Sequence, residues 1–245
     1  MCAASFSTAT GPCRQGQIAA VLPKTGDRVK IKPYVSEATN TFYNLMFCDD
    51  ADLLAKHAKG VAPALKPLVD RFDEKKVRAI AESPETHPRY RALAGNQLAA
   101  AKRKSSPEVT VCGVVAEVPM EGGQDVFAVF TDGSIRYINS EGKVAFSDGI
   151  VPPLVAATSR VMKAAVLFAA KSGPRTTDRP APSPGQARIT CLVSDGSHVT
   201  HGPMEALMAD TFAAPLLKAC GELLKTFADL SLDQRVLLEM EREKQ

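Results

Sequence analysis

Two stretches decide how this chain reads. They are Val126-Phe127-Ala128-Val129-Phe130-Thr131-Asp132-Gly133-Ser134 and Ile189-Thr190-Cys191-Leu192-Val193-Ser194-Asp195-Gly196-Ser197. Each is five mostly apolar residues, a Thr or Ser, and then Asp-Gly-Ser. Downstream, Pro153-Leu154-Val155-Ala156-Ala157 answers Pro215-Leu216-Leu217-Lys218-Ala219, and Val161-Met162-Lys163 answers Leu223-Leu224-Lys225. The spacing is 63 in the first block (126 to 189) and 62 in the second (153 to 215), so one gap reconciles them. Carried backwards, the second spacing sets Phe146, Asp148 and Ile150 opposite Met208, Asp210 and Phe212. The chain therefore reads as an internally duplicated hairpin–helix unit, about 124–171 and 187–228. The alternative is two independent units that draw on the same turn and cap residues.

The chemistry of each unit is local. Asp and Gly tolerate the positive φ that a tight turn needs, so a β-rich run on each side makes a hairpin. Ile135-Arg136-Tyr137-Ile138-Asn139 alternates as a half-buried strand does. Ser140-Glu141-Gly142-Lys143 turns the chain into Val144-Ala145-Phe146. The first helix opens at Pro153, where a missing N–H costs nothing. Its apolar positions Leu154, Val155, Val161, Met162, Ala165, Val166 and Ala169 recur at three- and four-residue steps. The second repeats this with Leu216, Leu217, Cys220, Leu223, Leu224 and Phe227. Met204 to Ala213 is helical by propensity but lies opposite a strand in the repeat, and Pro215 argues against one unbroken helix over 204–228.

Around this pair the chain divides as a flexible arm over 1–16, a hairpin plus helical region over 17–105, the sheet-and-helix domain over 106–230, and a charged helical tail over 231–245. Pro23-Lys24-Thr25-Gly26-Asp27 is the turn of the first hairpin. Asn40–Cys48, with Phe42, Tyr43, Leu45, Met46 and Phe47, fits strand or helix. Asp49 and Asp50 are N-cap candidates for a helix over Ala51–Lys59. Helices follow over Pro63–Ser83 and Pro84–Lys104, the second with Ser83 as a possible cap, and Pro107 ends this region. Val109–Val118 is a strand. Ser172–Gln186 holds four prolines and two glycines without apolar period, a surface loop or linker.

Strands from 109–118, 126–131, 134–139, 143–147 and 188–200, joined by hairpins, make an α+β fold with a mainly antiparallel sheet. The repeat helices would cover one face, and the helices of 50–104 would pack beside them or form a lobe. Element order alone is similar to the small sheet-and-helix modules of the profilin or roadblock type, a likeness that carries no function.

Composition excludes more than it selects. With 30 basic and 27 acidic residues, charge favours no partner, and no Trp and few aromatics leave little for a base-stacking platform. The start lacks a basic segment followed by an apolar core, and the apolar stretch at 161–170 is short for a bilayer and flanked by Lys. Six cysteines without close pairs read as small buried hydrophobes in a reducing compartment, hence a cytoplasmic protein.

No residue pattern is a catalytic motif. His198 and His201 would share a helix face as metal ligands, but on a strand a spacing of three puts them on opposite faces, so they read as surface histidines. Cys112, Cys191 and a histidine could make a thiol site, against the simpler reading of buried structural cysteines. Asp132 with Asp195, and Asp148 with Asp210, could pair as acid and base, although turn and cap roles explain all four. Lys102-Arg103-Lys104, with Arg89 and Arg91, is the densest basic cluster; cations at a helix C-terminus suffice to explain it, which argues against nucleic acid. No catalytic, cofactor or metal residues are assigned, and no cofactor is expected. The expectation is a non-enzymatic binding, scaffold or regulatory protein that contacts another protein, or itself, through a sheet edge or helix face. The alternative is an enzyme with a site of scattered Cys, His and Asp residues between the helical part and the sheet.

Overall fold

Strand β1 (Val111–Met120) is the axis of the molecule. The computed structural model describes residues 31–57, 63–103, 109–172, 176, 179 and 183–242, with 231–242 described as helix backbone. The arm expected at 1–16, the turn expected at Pro23–Asp27 and Lys104 lie outside them. Before β1 come α1 (Glu37–Met46), α2 (Ala51–His57), a 3-10 turn (Pro63–Leu68), α3 (Glu74–Glu82) and α4 (Pro88–Ala100). After it come β2 (Gly123–Phe130), β3 (Ile135–Ile138), β4 (Val144–Ser147), α5 (Val155–Lys171), β5 (Gln186–Val193), β6 (Gly196–Pro203), α6 (Met204–Ala209) and α7 (Ala213–Arg242). The six strands form one antiparallel sheet in the order β4-β3-β2-β1-β5-β6. The fold is α+β.

The two hairpins expected at the Asp-Gly turns form. Gly133 takes φ +82 and Gly196 φ +135, conformations that L side chains resist. The run expected at 188–200 is two strands, because the turn at Ser194-Asp195 folds it back. The stretch opposite β4 in the proposed repeat is α6, a helix, so the propensity of 204–209 prevails there. Asp210 then takes the N–H groups of Phe212 (2.8 Å) and Ala213 (2.7 Å), and Pro215 falls within the first turn of α7. Both features are compatible with a helix start and incompatible with a helix continued from Met204.

The helices before β1 neither sit beside α5 and α7 nor form a lobe. They cover the opposite face of the sheet. Val115, Val126, Ala128, Phe130, Ile138 and Leu192 pack with Tyr43, Phe47, Leu93 and Leu98 on one face. Val114, Phe127, Val129, Ile135, Ile189 and Cys191 pack with Val161, Phe168, Leu216 and Leu223 on the other. Strands buried on both faces read as near-continuous apolar runs, which is why β1, β2 and β5 show so little alternation. Within α5, Ala157, Val161, Ala165 and Phe168 face the sheet. With its leading turn (Pro152–Lys171), it is also the one described helix long and apolar enough to cross a membrane.

Local chemistry explains the boundaries that shifted. The helix expected over Pro63–Ser83 is broken, with Pro67 in a 3-10 turn and Asp73 capping α3 through the Lys76 N–H (3.2 Å). Ser83 ends α3 rather than starting α4. The α4 cap is His87, whose Nδ1 accepts from the Arg89 N–H (3.3 Å), with Pro88 at N1. Of the stretch Asn40–Cys48, the part up to Met46 is helical as the continuation of α1, which Ser36 caps, while Phe47 is the C-cap and Cys48 turns away at φ +51. Further along, α4 crosses the β5–β6 turn so closely that a Cβ on Gly95 would stand 2.6 Å from the Ser194 carbonyl carbon. Only glycine fits there.

Candidate functional site at the sheet edges

The residues with chemical potential are dispersed. His198 lies opposite Cys191 on the α5–α7 face and His201 opposite Arg188 on the other, as the strand spacing requires. A bulge between Val111 and Gly113 takes Cys112 out of the β1 alternation and onto the α1–α4 face. Cys191 lies on the far side of the sheet. Its Sγ–H points to the Ala165 carbonyl (3.7 Å), and burial pushes its thiol far up. Burial likewise pushes Cys48, Cys112 and Cys220 up to about 12. A thiolate nucleophile needs the opposite shift. These four cysteines are free thiols, all buried.

The aspartates are committed one by one. Asp132 accepts from Ser134 N–H (3.0 Å) and Oγ–H (2.7 Å) and from His87 Nε2–H (2.9 Å), which ties the start of α4 to the β2–β3 turn. Burial opposes its ionisation, but those hydrogen bonds outweigh it and hold the carboxyl well below the usual range. Asp195 lies in the β5–β6 turn at the same end of the sheet, with β1 between them. Asp148 pairs with Arg136, and Asp210 caps α7. In the basic cluster, Arg91 is buried and donates from Nε to the Ala81 carbonyl (3.2 Å). Arg103 pairs with Glu74 (3.0 Å), and Arg89 lies over the Phe130 ring (5.7 Å). Among the described residues no three His, Cys, Asp or Glu side chains converge as metal ligands.

A buried polar cluster escaped the sequence reading. Glu117 on β1 and Arg188 on β5 are cross-strand partners whose side chains are 1% and 3% exposed. Arg188 donates from Nε to Glu117 Oε2 and from Nη2 to Oε1 (2.8 Å), and the Tyr43 hydroxyl donates to Oε1 (2.7 Å). Beside them, Arg179 donates to Asp49 (2.8 Å) and Asn44 (2.7 Å) and stacks on the Phe47 ring (4.0 Å). The loop at 172–186 is thus anchored at Arg179, which is 13% exposed, and at Thr176, whose N–H donates to the Ser197 carbonyl (2.7 Å). The adjoining cavity, between Phe47, Arg179, Thr190 and Val199, measures about 20 Å³. That is far below the few hundred Å³ of an organic-ligand site. The cluster joins α1, β1, β5 and the loop, and acts as a structural lock.

Unused bonding capacity lies at the sheet edges instead. At the outer edge of β6 the Ser197 carbonyl is taken by Thr176, and Pro203, without an N–H, ends the strand. This edge is blunted. The β4 edge differs. Asn139 N–H donates to the Lys143 carbonyl (3.0 Å), and the ladder pairs Tyr137 with Ala145 and Ile135 with Ser147. Antiparallel pairs alternate between bonded and non-bonded, so the backbone groups of Val144 and Phe146 point outward. Their side chains are 41% and 60% exposed, and Ile150 just beyond is 73% exposed. Phe146 is held between the Phe42 ring (6.2 Å) and the Arg136 guanidinium (5.4 Å) on the α1 face. The sequence reads 143–147 as a strand, but nothing in Val-Ala-Phe-Ser says that it ends the sheet. Comparison with known protein families, with characterised proteins and with solved structures finds no match to this chain, so the fold and its edges are the basis on which its function is read.

Proposed function

We propose that this chain is a non-enzymatic binding or scaffold module of the cytoplasm that works through protein–protein contact, with the β4 edge as its contact surface. The observation that carries the reading is an outermost strand that combines outward backbone groups at Val144 and Phe146 with exposed apolar side chains. Folded proteins blunt such edges with Pro, a bulge or a covering loop; among the described residues none of these covers β4, and an open edge accepts another strand, here over four residues. Phe146 adds a preformed anchor, because contacts to Phe42 and Arg136 already restrict its rotamers and less entropy is lost on binding. Buried thiols at Cys48, Cys112, Cys191 and Cys220 support a reducing compartment.

The test is a photo-crosslinking amino acid placed at 146, with a second at Lys218 on the exposed side of α7 as control, in the source cell. A defined adduct at 146 that is absent at 218 and abolished by Val144→Lys supports the reading. Equal or absent adducts at both positions, with an unchanged circular dichroism spectrum, would sink it.

A further inference from the structure

We infer that β4 pairs antiparallel with β4 of a second copy of this chain, Val144 of each opposite Phe146 of the other, to join two six-stranded sheets into one. The inference rests on the reading of β4 as the contact surface and names the occupant. Its first support is register. A two-fold axis normal to the sheet preserves faces, so residues opposite one another must have the same parity. The outward-facing residues of β4 are 144 and 146. Setting 144 against 146 uses both in both copies, with four N–H···O bonds and Ala145 on the axis. Setting 146 against 146 instead leaves Val144 opposite Asp148, an apolar group against a carboxylate committed to Arg136.

Side chains agree with that register. On the α1 face, Val144 and Phe146 of the two copies form one apolar patch, continuous with Phe42. On the other face the axis passes between two Ala145 side chains, the smallest available, and Lys143 meets Ser147 rather than a like charge. Size sets the strength. A four-residue edge with two apolar side chains covers on the order of 300 Å² per copy, about 600 Å² in all, below the ~1,200 Å² of a standard interface. An interface this small makes the dimer weak and reversible, so self-association is sought up to a concentration of about 1 mM.

Sedimentation of the full chain over a dilution series tests this. The wild type is expected to rise from 26.1 kDa toward twice that mass as concentration increases. Phe146→Pro removes an outward N–H that β3 does not use, so the β3–β4 ladder survives and the chain stays monomeric throughout. His201→Lys, at an exposed position of β6, leaves dimerisation unchanged. Register is read separately by Ala145→Cys under mild oxidation. Opposed non-bonded residues stand about 4.5 Å apart at Cα, within disulfide range, so peptide mapping should recover a 145–145 crosslink, while Val144→Cys forms no 144–144 link. A wild type monomeric at 1 mM, a Phe146→Pro chain as dimeric as wild type, or no 145–145 crosslink overturns the inference. A monomeric wild type that still gives a defined adduct with another protein at 146 overturns self-pairing alone and leaves the binding-module reading standing.

Discussion

Replacing Arg188 by Met leaves the Glu117 carboxylate buried with only the Tyr43 hydroxyl as donor, because both guanidinium bonds disappear. At 1% exposure Glu117 has no route to water. Removing one member of a buried pair typically costs ~3–5 kcal/mol, since the remaining charge keeps its desolvation penalty and loses its compensation. Against a total stability of about 5–15 kcal/mol this is a large fraction. For a chain of this size each kcal/mol shifts Tm by roughly 2–4 °C, so Arg188→Met should lower Tm by about 6–20 °C. Tyr43→Phe, which removes one donor to a charged acceptor, should cost ~1.5–3 kcal/mol. The decisive variant is the double replacement Glu117→Leu with Arg188→Met. It removes both charges, so it should be less destabilised than Arg188→Met alone, with a coupling energy of at least ~2 kcal/mol. Urea unfolding followed by far-ultraviolet circular dichroism measures Arg188→Met, Tyr43→Phe, the double variant and the single Glu117→Leu that closes the cycle, with a constant m-value confirming that the same surface is exposed. A loss below ~1 kcal/mol in Arg188→Met, or additive losses in the double variant, would refute the reasoning.

Two further outcomes follow from local geometry. Gly95→Ala gains about 1 kcal/mol of helix propensity but drives a methyl into the Val193–Ser194 backbone, an overpacking cost of ~1–3 kcal/mol in ordinary cores and more where backbone must move. The net expectation is a Tm lower than wild type, and a variant that melts higher would show that α4 can slide. Asp132 has a folded pKa below its ordinary value of 3.8, so its contribution to stability is complete above that pH and is lost as pH falls through the folded value. Wild-type Tm should fall more steeply below pH ~4 than that of Asp132→Asn; parallel curves would remove Asp132 from the account.

Much of the local structure was legible. The two Asp-Gly turns, the strands beside them and the starts of α5 and α7 follow from residues within a few positions of one another. The errors arose where two local signals competed. Ser83, a usual cap residue followed by Pro84, marks a helix start in the sequence, yet α4 begins at Pro88, where His87 Nδ1 takes the Arg89 N–H. The stretch 204–209 carried a helical propensity and a strand-like place in the expected repeat, and it is a helix. The candidate site was far less legible. Val144 and Phe146 appear in the chain as a short apolar run, and nothing near them states that β4 is the last strand of the sheet among the described residues. The partners in the buried lock stand 71 residues apart for Glu117 and Arg188, and 130 for Asp49 and Arg179.

By itself, the sequence determined the class of the fold, because hydrophobic period, turn residues and caps act over one to four residues. Sheet order, the placing of the α1–α4 helices on the face opposite α5 and α7, the separation of Cys112 from Cys191, and the position of β4 at an edge of the sheet belong to the tertiary structure alone. Each depends on which distant apolar surfaces bury one another, a competition settled over the whole chain rather than within any window of it.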